Sequence, residues 1–179
     1  MSGRILVTYA TRTGSTEGIA TVIMDVLRSA GMDVDLLDIR NNPDPEVYDH
    51  LIIGGPIYMG RMAEVGDFCR QHHDVISVRI RGAFAVGLMF RDDDPEKQKQ
   101  GREILQNALG QIVPAHYGYF CGKADPAGFS FAQRMVLKLV KAPIGDFRDP
   151  DAIRQWAEKV AWDIQNESIP SSAQHSLSR

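Results

Sequence analysis

A short segment near the N-terminus combines side chains suited to binding a phosphate group. It contains four Ser or Thr residues, one Arg and one Gly, in the order Thr11, Arg12, Thr13, Gly14, Ser15 and Thr16. A helical pattern follows, and the unpaired N–H groups and dipole of a helix N-terminus attract an anion. Hydroxyls donate hydrogen bonds to phosphate oxygens, and a glycine permits close backbone approach. This first loop therefore predicts a phosphate site, with a Ser/Thr-rich helix cap that binds no ligand as the alternative.

The spacing of the first loop does not fit two common nucleotide motifs. No lysine follows Gly14, so the GxxxxGK[ST] loop of nucleoside triphosphatases is absent. The GxGxxG pattern of dinucleotide-binding proteins is absent as well. The ligand is therefore predicted to be another phosphate compound.

Apolar runs that alternate with helical patterns would position this loop at the edge of a sheet. Five strands are predicted, at residues 5–9, around Val34, Leu36 and Ile39, and at 51–53, 83–89 and 117–121. Helices are predicted at 17–30, around Val65, Phe68, Cys69 and His72, at 95–109, and from Pro150 onward. This alternation predicts an α/β fold with parallel strands, right-handed crossovers and helices on both faces.

Several helix ends carry residue signals. Gly31 is expected to end the first helix, and Asp94 and Asp149, each followed by proline, are expected to cap two others. The apolar stripe of the first helix is Ile19, Val22, Ile23, Val26, Leu27 and Ala30. The stripe of the last helix is Ile153, Trp156, Ala157, Val160, Ala161 and Ile164, with Trp162 on the opposite, exposed side.

The first loop, placed after a first strand, resembles the T-x-T-G-x-T loop of flavodoxins, whose hydroxyls and amides hold the phosphate of FMN. The resemblance implies a flavodoxin-like, doubly wound, five-stranded parallel sheet of order 2-1-3-4-5. Flavodoxin is a standard example of that order, with FMN where strands 1 and 3 end.

On this resemblance, two further loops would contact the ring of FMN. In the second loop, residues 54–61, Tyr58 could stack on an isoalloxazine face, and an exposed loop tyrosine is the alternative. The Met59–Gly60 peptide is expected near the central nitrogens of the flavin, and the third loop, residues 87–90, would touch the ring from the other side. The predicted cofactor contacts beyond the first loop are Pro56, Ile57, Tyr58, Met59, Gly60, Gly87, Leu88, Met89, Phe90 and Gly122.

A closer resemblance covers nearly the whole chain and is to the menaquinone-dependent protoporphyrinogen oxidases. It is carried by residues 122–126, 129–141 and 149–161. Those flavodoxin-fold enzymes of haem synthesis have a long insert near strand five and pass electrons from protoporphyrinogen through FMN to a quinone. The resemblance implies the same class of oxidoreductase and partners here. An electron-carrier flavodoxin without its own substrate, and a domain that binds FMN weakly or not at all, remain alternatives.

The insert, residues 123–148, contains a predicted amphipathic helix. Its apolar stripe is Ala132, Met135, Val136, Leu139 and Val140, and its basic stripe is Arg134, Lys138 and Lys141. Such a helix at residues 129–141 could lie on an anionic membrane surface and reach a lipid-soluble quinone. The alternative is that the apolar stripe packs on the sheet.

Two cations follow the predicted flavin loops. Arg61 comes after the second loop's turn and Arg91 after the third loop. Near the ring, they would favour the reduced anion and raise the flavin potential, which suits transfer to a quinone. The alternative is that both point into solvent.

Other suggestive residues are given structural interpretations. Asp92, Asp93 and Asp94 lack calcium-loop spacing, and adjacent His72 and His73 would diverge on a helix, so no metal site is predicted. Cys69 and Cys121 are far apart without a CxxC motif and are interpreted as inert core thiols in a reducing compartment.

Composition limits the function classes further. The 179 residues are 44% hydrophobic and 24% charged with a net charge of -3, typical of a globular protein and without the basic excess of a nucleic-acid binder. No apolar run suits a transmembrane helix and the N-terminus lacks a signal-peptide pattern, so a cytoplasmic location, at most peripheral to the inner face of the membrane, is expected. We predict one domain over residues 1–165 and a mobile, Ser-rich tail over 166–179.

Overall fold

The central feature of the fold is a five-stranded parallel sheet in the order β2-β1-β3-β4-β5, as predicted. The computed structural model describes residues 3–92, 94–124, 135 and 145–167. The strands are β1 Ile5–Tyr9, β2 Val34–Asp38, β3 His50–Pro56, β4 Ile80–Val86 and β5 His116–Phe120. A separate antiparallel pair follows, formed by β6 Lys123–Ala124 and β7 Gly145–Asp146.

Five longer helices accompany the strands in the described part of the chain. They are α1 Ser15–Ser29, α2 Ala63–Gln71, α3 His73–Arg79, α4 Pro95–Leu109 and α5 Pro150–Glu167. Single 3-10 turns occupy Ile39–Asn41, Pro45–Val47 and Leu88–Phe90. The expectation of helices on both faces of the sheet is confirmed, because the hydrophobic core forms two clusters.

Alternate residues of β1 show how one strand serves both clusters. Ile5 and Val7 belong to the cluster that includes α1 and α5, whereas Leu6 belongs to the cluster that includes α2 and α4. All three side chains are fully buried, and each such aliphatic side chain contributes about 1.5–3 kcal/mol on leaving water. A strand buried on both faces is therefore apolar over most of its length, which explains why the sequence revealed it.

Several predicted element boundaries were wrong. β2 ends at Asp38, because the Asp38 carboxylate accepts a hydrogen bond from the N–H of Arg40 and starts the turn that contains Ile39. β4 begins and ends three residues earlier than predicted, and residues 88–90 form a turn. β5 is His116–Phe120, one residue earlier than the predicted 117–121, and α1 is Ser15–Ser29, not 17–30. The sequence analysis did not predict α3 as a separate helix. Apolar character continues beyond a strand's last ladder bond, so it does not mark strand ends.

The residues predicted to cap or end helices agree with the structure. Asp94 Oδ1 accepts from the N–H groups of Glu96 and Lys97, and Asp149 Oδ1 accepts from two N–H groups in the first turn of α5. Gly31, at φ 82°, follows the end of α1 as expected. Of the predicted stripe of α1, however, Ala30 is exposed, because it lies past the last turn.

The two ends of the predicted insert lie side by side. β6 and β7 pair antiparallel, with Lys123 opposite Asp146, and the N–H of Phe147 donates to the carbonyl of Gly122 at 3.3 Å. The helix predicted within the insert lies outside the described residues except for Met135. α5 continues through Glu167, so it includes the first two residues of the predicted tail, and residues 168–179 lie outside the described part. The division into one domain and a tail stays a prediction.

Candidate functional site

The three predicted cofactor loops start from neighbouring strands at one edge of the sheet. The N–H of Ala10 donates to the carbonyl of Gly54, which joins the start of the first loop to β3. The N–H of Ile57, in the second loop, donates to the carbonyl of Val86 in β4 at 2.8 Å. The N–H of Gly87, in the third loop, donates to the carbonyl of Phe120 in β5 at 3.0 Å. Because parallel strands end at the same edge, this edge collects loops that are far apart in sequence.

The first loop opens α1 without a side-chain cap. Gly14 is the N-cap residue at φ 81°, and no side chain accepts a hydrogen bond from the first turn as a cap. Thr11 Oγ1 instead accepts from the N–H of Gly14 at 3.0 Å, which folds the loop on itself. A Cβ placed on Gly14 would have no heavy atom within 4 Å, so the space beside the helix start is open. The hydroxyls therefore do not serve as helix caps in this structure.

Ser15 connects the first loop to the chain that follows β5. Its Oγ accepts a hydrogen bond from the N–H of Lys123 at 2.7 Å, and the hydroxyl keeps its own proton to donate. A Cβ on Gly122 would lie 3.0 Å from both Ser15 Oγ and Val86 Cγ1, which explains a glycine there. Gly122 thus lies against the first loop, and its contact with a cofactor stays a prediction.

The other hydroxyls of the first loop differ in exposure. Thr11 and Thr13 are half-buried, whereas Thr16 is 1% exposed and belongs to the protein interior. Thr13 is therefore better placed than Thr16 to meet a ligand from solvent.

The second loop makes a tight turn at its tip. Tyr58 and Arg61 exchange two backbone hydrogen bonds, of 2.9 and 3.2 Å, around Met59 and Gly60. Both central residues have positive φ, 48° at Met59 and 74° at Gly60, as a type I′ turn requires. The Met59 side chain is 82% exposed, so it is available to a ligand.

Tyr58 has a partner that the sequence analysis missed. The Arg12 guanidinium carbon lies 4.1 Å from the centroid of the Tyr58 ring, and Arg12 Nη2 pairs with Glu64 Oε1 at 2.9 Å. One face of Tyr58 is therefore covered by Arg12. This contact could have been predicted from the strand order, which places the first and second loops side by side. Arg12, Tyr58 and Glu64 then supply a cation, an aromatic ring and a carboxylate close together.

Two side chains of the third loop pack toward α4. Phe90 and Met89 both lie against the Cα of Gly101, and the Phe90 ring is 5.5 Å from that of Tyr119. Phe90 and Ile57 are partly buried members of the α2 and α4 side of the core. Leu88 and Gly87 are half-buried at the start of the loop. The contact of these residues with a flavin stays a prediction.

The two cations beside the predicted flavin loops differ in their surroundings. Arg91 Nε pairs with Asp92 Oδ1 at 2.8 Å, and its guanidinium lies 5.3 Å from the centroid of Phe147. The hydrogen bond from Arg91 lowers the pKa of the Asp92 carboxyl, so this pair stays ionised and largely neutral in sum. Arg61 has no such counter-charge within the described residues.

The remaining candidates have structural roles. Asp94 is a helix cap, and the His72 ring is 4.8 Å from that of Phe68. Cys69 is 1% exposed and burial raises the pKa of its thiol to about 12, as an inert core thiol requires. Cys121 is only half-buried, so it is not a core residue, although burial raises its pKa as well. Trp162 is 66% exposed, as predicted.

Fold, strand order and loop positions together define a flavodoxin-like protein. The flavodoxin domain family matches residues 6–151, and the chain therefore belongs to that family.

Individual relatives add detail to this assignment. The chain is 24% identical over 167 residues to the protoporphyrinogen IX dehydrogenase [quinone] of Escherichia coli strain K12, a match that covers 88% of this chain and 91% of the relative. It resembles the crystal structure of Fusobacterium nucleatum flavodoxin bound to flavin mononucleotide, with a TM-score of 0.56, 18% identity, and coverage of 92% and 98%. It also resembles an NAD(P)H:quinone oxidoreductase from Methanothermobacter marburgensis, with a TM-score of 0.51, 10% identity, and coverage of 93% and 100%.

Proposed function

We propose that the protein is an FMN-dependent oxidoreductase that passes electrons from a reduced, porphyrinogen-like substrate to a quinone-type acceptor. The observation that carries the FMN assignment is the start of α1, which has no side-chain cap, open space beside Gly14 and hydroxyls at its entrance. Membership of the flavodoxin family supports the same cofactor.

The residues of the site fit the phosphate and the ring of FMN. First-turn N–H groups of α1, with the Thr13 and Ser15 hydroxyls, would bind the phosphate. The Tyr58 face opposite Arg12 and the exposed Met59–Gly60 turn would lie against the ring. Bound there, FMN supplies the capacity to accept and release electrons.

The choice of reaction rests on the E. coli relative, which matches most of the length of both chains. In each turnover, the substrate would lose a pair of electrons and a pair of protons, and the quinone would take up both to become the hydroquinone. Electron carriers of the flavodoxin type are the second candidate, because several of the solved structures that this chain resembles are flavodoxins.

A membrane-side location is part of the proposal because menaquinone-type acceptors are lipid-soluble. Within the described residues, no helix combines the length and hydrophobicity needed to cross a bilayer. Contact with the inner face of the membrane would then fall to residues 129–141, of which the structure describes Met135 alone.

The test is anaerobic turnover of protoporphyrinogen by FMN-loaded protein with a menaquinone analogue. We expect porphyrin formation that depends on both FMN and the quinone. The control omits the quinone and supplies a flavodoxin reductase with its reductant. Efficient reduction by the reductase without any porphyrinogen turnover would favour the electron-carrier function and exclude the proposed one.

A further inference from the structure

Arg61 differs from every other arginine in the described part of the chain. Its guanidinium has no hydrogen-bond, ion-pair or ring partner among those residues, whereas each of the others contacts a carboxylate, a backbone carbonyl or an aromatic ring. Arg12 pairs with Glu64, for example, and Arg91 with Asp92. An unpaired cation amid this general pairing is available to a ligand.

The position of Arg61 is fixed although its side chain is unpaired. Its backbone exchanges two hydrogen bonds with Tyr58, which anchors it to the tip of the second loop. It lines a groove of about 490 Å³ that runs from this loop between α2 and α4. Small residues, Gly60, Ala63 and Gly66, form part of the lining, and the volume suits an organic ligand.

The charges of the groove favour an anionic ligand. Arg70 also lines it but is paired with Asp67, so the net positive charge comes from Arg61. A guanidinium presents two parallel N–H donors that match a carboxylate, and the Asn107 amide on the opposite wall offers another donor.

We propose that Arg61 and this groove bind a carboxylate arm of the organic electron donor, so that the preferred substrate is an acidic molecule. The inference rests on the proposed function, which supplies the donor. Because Arg61 directly follows Met59 and Gly60, which are predicted to contact the flavin, a donor anchored there lies beside the ring. Protoporphyrinogen, with its propionate arms, has the required chemistry.

Equilibrium binding of a porphyrin to the FMN-loaded protein tests this proposal without depending on turnover. The probes are protoporphyrin IX and its dimethyl ester, in the same detergent, followed by porphyrin fluorescence. The variants are Arg61→Gln, Arg61→Lys and the matched control Arg102→Gln. Arg102 is on α4 and outside the groove lining, so its change removes the same charge at another place.

We expect Arg61→Gln to weaken binding of the acid about ten- to a hundredfold, because a hydrogen bond between charged groups is lost. Binding of the ester should change less than about twofold, Arg61→Lys should recover only part of the loss, and Arg102→Gln should match the wild type. The proposal is overturned if the wild type binds neither porphyrin or does not distinguish acid from ester. It is also overturned if acid and ester lose affinity equally in Arg61→Gln, or if Arg102→Gln has the same effect.

Turnover separates this inference from the function on which it rests. Arg61-dependent binding of the acid without any porphyrinogen oxidation by the wild type would refute the proposed reaction and retain the carboxylate site. Porphyrinogen oxidation by the wild type with an unchanged KM in Arg61→Gln would refute the carboxylate site and retain the reaction.

Discussion

Arg12 links two loops that meet only in the folded chain. Its guanidinium stacks on Tyr58 and pairs with Glu64, so the first loop, the second loop and the first turn of α2 share one set of contacts. Both members of the ion pair are substantially exposed, and such a pair alone contributes little to stability. Its expected effect is on the orientation of the Tyr58 ring, on which the Arg12 guanidinium stacks.

Arg12 and Tyr58 should therefore act together in FMN binding. We expect the losses of FMN affinity in Arg12→Ala and Tyr58→Ala to be non-additive, with a coupling of about 0.5–1 kcal/mol, the usual strength of an exposed cation–π contact. Isothermal titration of FMN into the apoproteins of both single variants and the double variant measures it. Strict additivity would mean that Arg12 does not orient Tyr58.

The Thr13 side chain should contribute to binding of the FMN phosphate and not to binding of the flavin ring. Thr13→Ala removes a hydroxyl that would donate to a charged phosphate, at a cost of about 1.5–3 kcal/mol in FMN affinity. Riboflavin, which lacks the phosphate, should bind nearly as before. Thr21→Ala is the control, because Thr21 is on the same helix but its hydroxyl donates to the carbonyl of Glu17. Equal losses for FMN and riboflavin would contradict the phosphate assignment.

At the scale of elements, the segment that follows β7 packs against α1 through Arg148. Arg148 pairs with Asp146, and its guanidinium lies against Gly18, where any Cβ would collide with it. The hydrogen bond from Arg148 lowers the pKa of Asp146 to about 2. The chain that follows the insert is thereby held close to the first loop.

The depressed pKa of Asp146 should appear in the acid stability of the protein. The stabilisation is present above the unfolded-state pKa of about 4 and is lost as the pH falls toward 2, because protonation removes the charge. We expect Asp146→Asn to flatten the decrease in Tm between pH 4 and pH 2, by a small amount since the pair is partly exposed. Arg148→Gln should flatten it similarly. A slope unchanged in both variants would contradict this role.

Sequence predicted the elements better than their ends and contacts. The run at 5–9 and the prolines after Asp94 and Asp149 are local signals, and the structure reproduces them. The boundary of β4 depends on which N–H groups find a partner on β5, which apolar character does not encode. Likewise, Thr16 belongs to a hydroxyl-rich pattern but is buried, since exposure depends on packing across the sheet. The Arg12–Tyr58 contact could not be predicted without knowing that the first and second loops are neighbours in the folded chain.

At the scale of the whole molecule, the predicted cofactor loops are concentrated at one edge of the sheet. The first, second and third loops and Gly122 all follow the carboxyl ends of strands, whereas both sides of the sheet are filled with core. The insert leaves and rejoins the fold at this same edge, where β6 pairs with β7. Its two ends are thus joined to each other by strand pairing.

Removing the middle of the insert should separate cofactor binding from turnover. Replacing residues 127–142 by a short Gly/Ser linker preserves both β6 and β7, so the FMN content of the purified protein should match the wild type. Quinone-linked turnover should be lost if the insert contacts the substrate or the membrane, and binding to anionic liposomes should fall with it.

The charge reversals Arg134→Glu, Lys138→Glu and Lys141→Glu together should reduce liposome binding specifically. Loss of FMN, or unchanged turnover and liposome binding, would make the insert structural.

The turn at Met59 also bears on how freely this protein can evolve or be engineered. At 82% exposure, position 59 would ordinarily accept almost any residue, yet its φ of 48° penalises most side chains. Glycine, asparagine and aspartate should be accepted there, and valine, isoleucine and threonine rejected, because branching at Cβ is least compatible with a left-handed backbone. In a saturation library at this position, the residues that favour β-strands should therefore be depleted first. This is the opposite of the selection expected at a buried strand position.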